Sequence, residues 1–195
     1  MKRRFEYYET EQPSVVIAET GRVRLLRLIS KEEAMRQVQI GDDEYEDEKF
    51  TQYLYETAWV GVLGQVKTIE QANELVKQLV IDEISNYDKS DEVNSFFING
   101  ERCWLDKDTR VGLVNSINAQ KQAGYTDTTI WIGSKSFTID TSTALQMLNM
   151  IEVYAAGCFN TTASHIANVK AITTAEEAFA YDYKCKYPIK PSFDV

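Results

Sequence analysis

The chain has one histidine, His165, and three cysteines, Cys103, Cys158 and Cys185, the first residues to weigh for nucleophilic or metal chemistry. A thiolate–imidazole pair needs both side chains within hydrogen-bonding reach. Cys158 precedes His165 by seven residues on one expected helix, so the two share a face, but about 10.5 Å of rise separates them. A pairing of Cys103 with His165 across the fold stays open, although nothing in the spacing argues for it. Asp106, Asp108 and Asp127 could suggest a metal, yet helix caps and turns account for carboxylates in such positions. Glu152 interrupts an apolar helix and needs a partner there; Arg110 and Arg102 are the candidates, and an ion pair is the simpler reading than a general acid or base. Asn160-Thr-Thr162 has the glycosylation spacing but falls in mid-helix. There is no glycine-rich phosphate loop, no His-Glu-x-x-His and no Gly-x-Ser-x-Gly. No catalytic, cofactor-binding or metal residues are therefore expected, and the chain reads as non-enzymatic.

Aromatic side chains offer another kind of chemistry, adhesion. Tyrosine and tryptophan combine a large contact area with a polar tip. Tyr53, Tyr55, Thr57 and Trp59 alternate with Leu54, Ala58 and Val60, which predicts a strand with an aromatic side. Near the end of the chain, Tyr183, Tyr187 and Phe193 are too apolar for a free segment. Tyr53, Tyr55, Trp59, Tyr183, Tyr187 and Phe193 are thus the candidate partner-binding residues, with a core role for half of the tyrosine strand as the competing reading.

These residues need elements to hold them. Residues 1–63 read as a small β-rich module, with strands at 14–19 and 22–29 and at the tyrosine stretch. Ser30-Lys-Glu-Glu33 has capping-box spacing and predicts a short helix to about Gln39. The acidic run 42–49 reads as a solvated loop without calcium-loop spacing. Residues 64–91 read as a connecting amphipathic helix opened by Thr68-Ile-Glu-Gln71; twenty residues make a rod of about 30 Å, which docks on the next domain or pairs with copies of itself. Residues 92–195 read as a C-terminal α+β domain with an extended tail.

Within that domain, Asn99-Gly100 between apolar runs marks a type I′ hairpin that sets Ile98 against Glu101, Phe97 against Arg102 and Phe96 against Cys103. Both faces of it are apolar, so cover is expected on both sides. Asp106 or Asp108 caps a following helix with Val111, Val114 and Ile117 inward. Gly133-Ser134 turns a second hairpin. The run from Leu145 to Phe159 leaves almost no polar side and predicts a long buried helix, and Thr173-Thr-Ala-Glu176 opens a short one. The tail lies along its own domain or a neighbour's. The expected fold is α+β: two β-hairpins on a long buried helix plus shorter helices, preceded by the β-rich module and the connecting helix.

Composition narrows the partners. Asp and Glu number 30 against 21 Lys and Arg, a formal charge of −9, so most of the surface repels phosphate backbones and nucleic-acid binding is not expected. The basic cluster, Lys2-Arg3-Arg4, is short. Three dispersed cysteines fit reduced thiols in a cytosol. The first residues have no apolar run, so a secretory leader is not expected, and no segment approaches the ~20 apolar residues of a membrane span.

Asn94-Ser-Phe-Phe-Ile-Asn-Gly100, Cys103-Trp-Leu-Asp-Lys-Asp-Thr-Arg-Val-Gly-Leu113, Thr128-Thr-Ile-Trp-Ile-Gly133, Ala144-Leu-Gln-Met-Leu148, Tyr154-Ala, Cys158-Phe-Asn160, His165 and Ala180-Tyr-Asp-Tyr183 together resemble a domain family of unknown function. That family is found at the C-terminal end of proteins of phages and prophages of gut Bacteroides-type bacteria, often in tail or tail-fibre gene neighbourhoods. The resemblance covers about Ser90 to Phe193. Its matched positions, among them Trp104, Asp106, Arg110, Gly112, Trp131, Gly133 and His165, bring no catalytic role; Gly112 inside a helix suggests close packing. The resemblance implies a virion protein of the tail or tail-fibre region, made in the bacterial host cytoplasm. It implies contacts with other phage structural proteins and, by analogy with virion symmetry, homo-oligomers. A tail-fibre assembly chaperone is the alternative. No cofactor, nucleic acid or membrane partner is implied.

Overall fold

The computed structural model describes all residues from Met1 to Val195. The chain is α+β, and it divides into two compact units. One comprises Met1–Glu83 and Ala167–Asp182, the other Ile84–Ile166 and Tyr183–Val195. The expected connector at 64–91 does not stand apart: most of it belongs to the first unit, as does a segment from the expected C-terminal domain.

The first unit is built on strands β1 (Arg3–Tyr8), β2 (Val15–Ile17), β3 (Val23–Gln39) and β4 (Tyr45–Val60), in the order β1-β4-β3-β2 and antiparallel throughout. The helix expected over residues 30–39 is instead the outer half of β3, paired residue for residue from Ser30↔Leu54 to Gln39↔Tyr45. Local helix propensity is a weak prior, and cross-strand pairing overrides it here. Arg36 adds side-chain contacts to that pairing: it binds Glu48 across the ribbon and Glu9, each at 2.7 Å, and lies over the Phe50 ring. The expected acidic loop is likewise mostly strand, since β4 begins at Tyr45.

The sheet is shorter than its two central strands. β1 stops opposite Tyr53 and β2 covers only Val23–Leu25, so β3 and β4 continue as a two-stranded ribbon ending at Gly41–Glu44. Ile29 is an extra residue between Leu28↔Tyr55 and Ser30↔Leu54, a bulge of the kind that increases twist where the ribbon leaves the sheet.

Helix α1 (Ile69–Asp88) places Ala72, Val76 and Val80 on one buried stripe of this unit. Its expected capping box forms: Gln71 N–H donates to Thr68 Oγ1, and Gln71 Oε1 accepts from the Thr68 N–H. Beside the sheet, Glu56 is buried and held by Arg27 at 2.8 Å and Arg3 at 3.3 Å; Arg3 also donates to the Phe179 carbonyl.

In the second unit, β5 (Phe96–Ile98) and β6 (Glu101–Cys103) pair in the expected register around Asn99-Gly100, both at positive φ. Phe96, Ile98 and Cys103 are buried; Phe97 is half-buried and Trp104 exposed, so the cover expected on both faces is complete on one only. Helix α2 (Lys107–Gln122) takes Asp106 as its cap through the Thr109 N–H. Val114 and Ile117 face inward as expected, but Val111 is half exposed, and a Cβ on Gly112 would meet open space rather than close packing. β7 (Asp127–Ile132) and β8 (Lys135–Asp140) form the second hairpin.

Helix α3 (Thr141–Ala171) departs furthest from expectation. Ala144, Met147, Leu148, Ile151 and Cys158 are buried, but Met150, Val153 and Phe159 are exposed, Val153 by 75%. With Gln146, Asn149 and Asn160 they make a solvent-facing side along the whole stretch expected to be buried. Helix α4 (Ala175–Ala180), in the first unit, is capped by Thr174 and Glu177, one residue later than the spacing suggested. The tail ends in β9 (Ser192–Phe193), parallel to β5 in its own unit, with Phe193 buried. No helix is long and apolar enough to cross a membrane.

Gly21 has φ +74, and a Cβ there would lie 2.7 Å from the Gly64 backbone; Gly64 has φ +76 but open space. Gly21→Ala should therefore lower stability by roughly 3 kcal/mol, and Gly64→Ala by only about 1–2 kcal/mol, read from urea midpoints at unchanged slope. Glu56→Gln should cost about 2 kcal/mol in the same assay, because Arg27 loses its charge partner and Arg3 one of its two.

Candidate functional site

One side of the first unit's sheet gathers aromatic and cationic side chains. Tyr53, Tyr55, Thr57 and Trp59 project from β4 on that side; Arg4, Glu6 and Tyr8 join them from β1, and Arg24 from β3, by the observed register. Arg24 lies over both the Tyr8 and Trp59 rings and binds Glu6 at 2.9 Å; Arg22 lies over Trp59, and Lys31 over Tyr53. The Tyr8 hydroxyl also donates to Glu6. Cations stacked on ring faces are worth about 0.5–1 kcal/mol each at exposed sites. Lys2, Arg4, Arg22, Trp59 and Leu63 line an open cleft of about 590 Å³ at one end of it.

The candidate partner-binding residues divide. Trp59 is 45% exposed and Tyr53 half-buried at the surface. Tyr55 is buried: its hydroxyl accepts from the Gln12 N–H, and Tyr8 meets its ring edge-on at 5.7 Å. Tyr55, expected as a partner-binding residue, is therefore interior to its unit, the competing reading for half of that strand. The three tail residues are built into the second unit. Phe193 packs on Phe96, and Tyr183 and Tyr187 pack edge-on against Tyr87. The arginines of the aromatic side were not singled out from the sequence. Their signal is the alternation of Arg22 and Arg24 with Val23 and Leu25, which sets both opposite the tyrosine strand once β3 and β4 pair.

His165, Cys158 and Cys103 fall in different surroundings. His165 is buried, its ring tilted against Tyr187, with Nε2–H donating to the Cys185 carbonyl at 2.9 Å. Cys158 sits instead beside Tyr154, whose hydroxyl donates to the Val93 carbonyl at 2.7 Å. The cavity there, about 120 Å³, also meets Asp88 and Arg110. Their polar groups are engaged: Asp88 accepts from the Thr162 hydroxyl, and Arg110 donates to the Leu105 carbonyl and to Glu152 at 3.0 Å. Glu152 is half exposed rather than embedded in an apolar helix, and its partner is Arg110; Arg102 reaches Glu92. Asp106 caps α2, and Asp140 caps α3 through the Ser142 and Thr143 N–H groups; these bonds hold both carboxyls below their usual range. No group of three His, Cys, Asp or Glu side chains is arranged to hold a metal ion.

Comparison with known proteins returned no matching family model, no matching curated protein and no matching solved structure.

Burial pushes the Cys103 and Cys158 thiols and the Tyr154 and Tyr187 phenols above their ordinary values. An unfolded chain releases these protons first, so their contribution is complete below the ordinary thiol value of about 8.5 and is lost as pH rises beyond it. The urea midpoint should fall steadily above that pH, and less steeply up to pH ~10 in a Cys103→Ala, Cys158→Ala variant.

Proposed function

We propose that this chain is a non-enzymatic structural or adaptor protein of a bacteriophage particle, of the tail or tail-fibre region, that works through protein–protein contacts. The observation that carries the protein-binding part is the β3–β4 ribbon. A lone two-stranded ribbon is marginally stable in water and leaves both backbone edges unpaired. This one also displays Met35, Ile40 and Tyr45, each more than half exposed. Such an element suits a protein that is completed by a partner. The phage assignment rests on the family resemblance of the stretch from Ser90 to Phe193. Its partners in this reading are other structural proteins of the particle and further copies of itself; the charge of −9 disfavours nucleic acid.

Mass spectrometry of purified particles should find the chain. A variant with Glu32 joined to Gln52 through Asn-Gly should fold, since Lys31↔Tyr53 already closes the sheet, and should be missing from particles. A wild-type chain absent from particles that nonetheless solubilises a co-expressed fibre protein would replace this reading with an assembly chaperone.

A further inference from the structure

The ribbon tip and the cleft at the other end of the same strands are opposite in charge. Asp42, Asp43, Glu44, Glu46, Asp47 and Glu48 place six carboxylates in the eight residues 41–48, with no lysine or arginine among them. All six residues are exposed, and of their carboxylates only Glu48 is in an ion pair, with Arg36. In the cleft, Lys2, Arg4 and Arg22 converge and none of them is in an ion pair. Glu6, the carboxylate on that side of the sheet, is already bound by Arg24. Both places also carry exposed apolar surface of similar extent: Ile40 and Tyr45 at the tip, Trp59 and Leu63 in the cleft.

One chain cannot join the two. Arg22 lies just before β3, and Gln39 is the last residue of that strand. Seventeen strand residues separate tip and cleft by roughly 50 Å along a paired ribbon that cannot fold back on itself. We infer that the acidic tip of one copy docks in the Lys2–Arg4–Arg22–Trp59 cleft of a second copy, so that copies join head to tail. Tip and cleft are different surfaces, so each copy keeps one of each free, and the contact propagates into a ring or a filament according to the rotation between copies. Facing charges of opposite sign speed and orient the encounter and weaken with salt. This inference rests on the protein-binding reading of the ribbon.

The test is light scattering of the full chain at low and high salt over a wide concentration range, with two charge-reversed variants. The tip variant carries Asp42→Lys, Asp43→Lys, Glu44→Lys, Glu46→Lys and Asp47→Lys, and the cleft variant Lys2→Glu, Arg4→Glu and Arg22→Glu. Glu48 is left intact because it braces Arg36. Circular dichroism confirms that both are folded. The wild type should grow beyond its 22.3 kDa monomer mass at low salt and return to it at high salt. Each variant alone should associate at least about tenfold more weakly. An equal mixture of the two should regain association, because every tip then finds a cleft of opposite sign. A wild type that stays monomeric, variants that associate like the wild type, or a mixture that stays monomeric would each overturn the inference. None of these outcomes touches the assignment to the particle, which mass spectrometry of particles decides separately.

Discussion

Glu56 lies buried between the guanidinium groups of Arg3 and Arg27, and the ribbon is anchored there. A carboxylate removed from water is costly unless paired and hydrogen-bonded. Here the pairing ties three strands at one level, because Arg3 is on β1, Arg27 on β3 and Glu56 on β4. The same two arginines reach the carbonyls of Phe179 and Ala180 in α4, and Arg3 also meets Glu83. The cluster sits just before the Ile29 bulge, and the sheet narrows to two strands beyond Lys31 and Tyr53. An apolar core alone would bind these strands, but it would not set their register as narrowly as three charged partners do.

Local and long-range signals disagree along the ribbon, and that disagreement is informative. Lys31, Glu32, Glu33, Ala34, Met35, Arg36 and Gln37 are good helix formers, and Ser30 opens them with capping-box spacing. They form a strand because β4 offers a partner at every position, with Arg36 opposite Glu48 and Met35 opposite Lys49. Natural sequences are mostly consistent between levels, and departures gather where function constrains the chain.

Much else could be read from residues whose geometry is nearly obligatory. Asn99-Gly100 and Gly133-Ser134 named two hairpins and their registers, because positive φ at those turns admits few residues. Thr68 named the start of α1, Asp106 was one of two caps offered for α2, and Thr173 missed α4 by one residue, whereas the same spacing at Ser30 named a helix that does not form. Composition misled where it was read without neighbours. The stretch from Leu145 to Phe159 is apolar apart from Gln146, Asn149 and Glu152, yet its surroundings bury only part of it, and Met150, Val153 and Phe159 remain exposed. The candidate surface was half legible: alternation found Tyr53 and Trp59, but it could not tell them from Tyr55, whose burial depends on Tyr8 and the Gln12 N–H arriving from elsewhere in the chain.

The polarity of the first unit follows from one asymmetry in strand length. β1 and β2 cover β3 and β4 only at the end where Arg22 and Trp59 lie, so that end is broad enough to form a cleft and to stack arginines on rings. The uncovered end has no neighbouring strand to screen its charges from one another. Six carboxylates there repel, which keeps the tip extended in water and gives it a reason to prefer any surface that neutralises it. Moving the same residues into a four-stranded region would bury or pair them and remove that preference. The length mismatch within the sheet is thus what turns an ordinary antiparallel hairpin into an element with two chemically opposite ends.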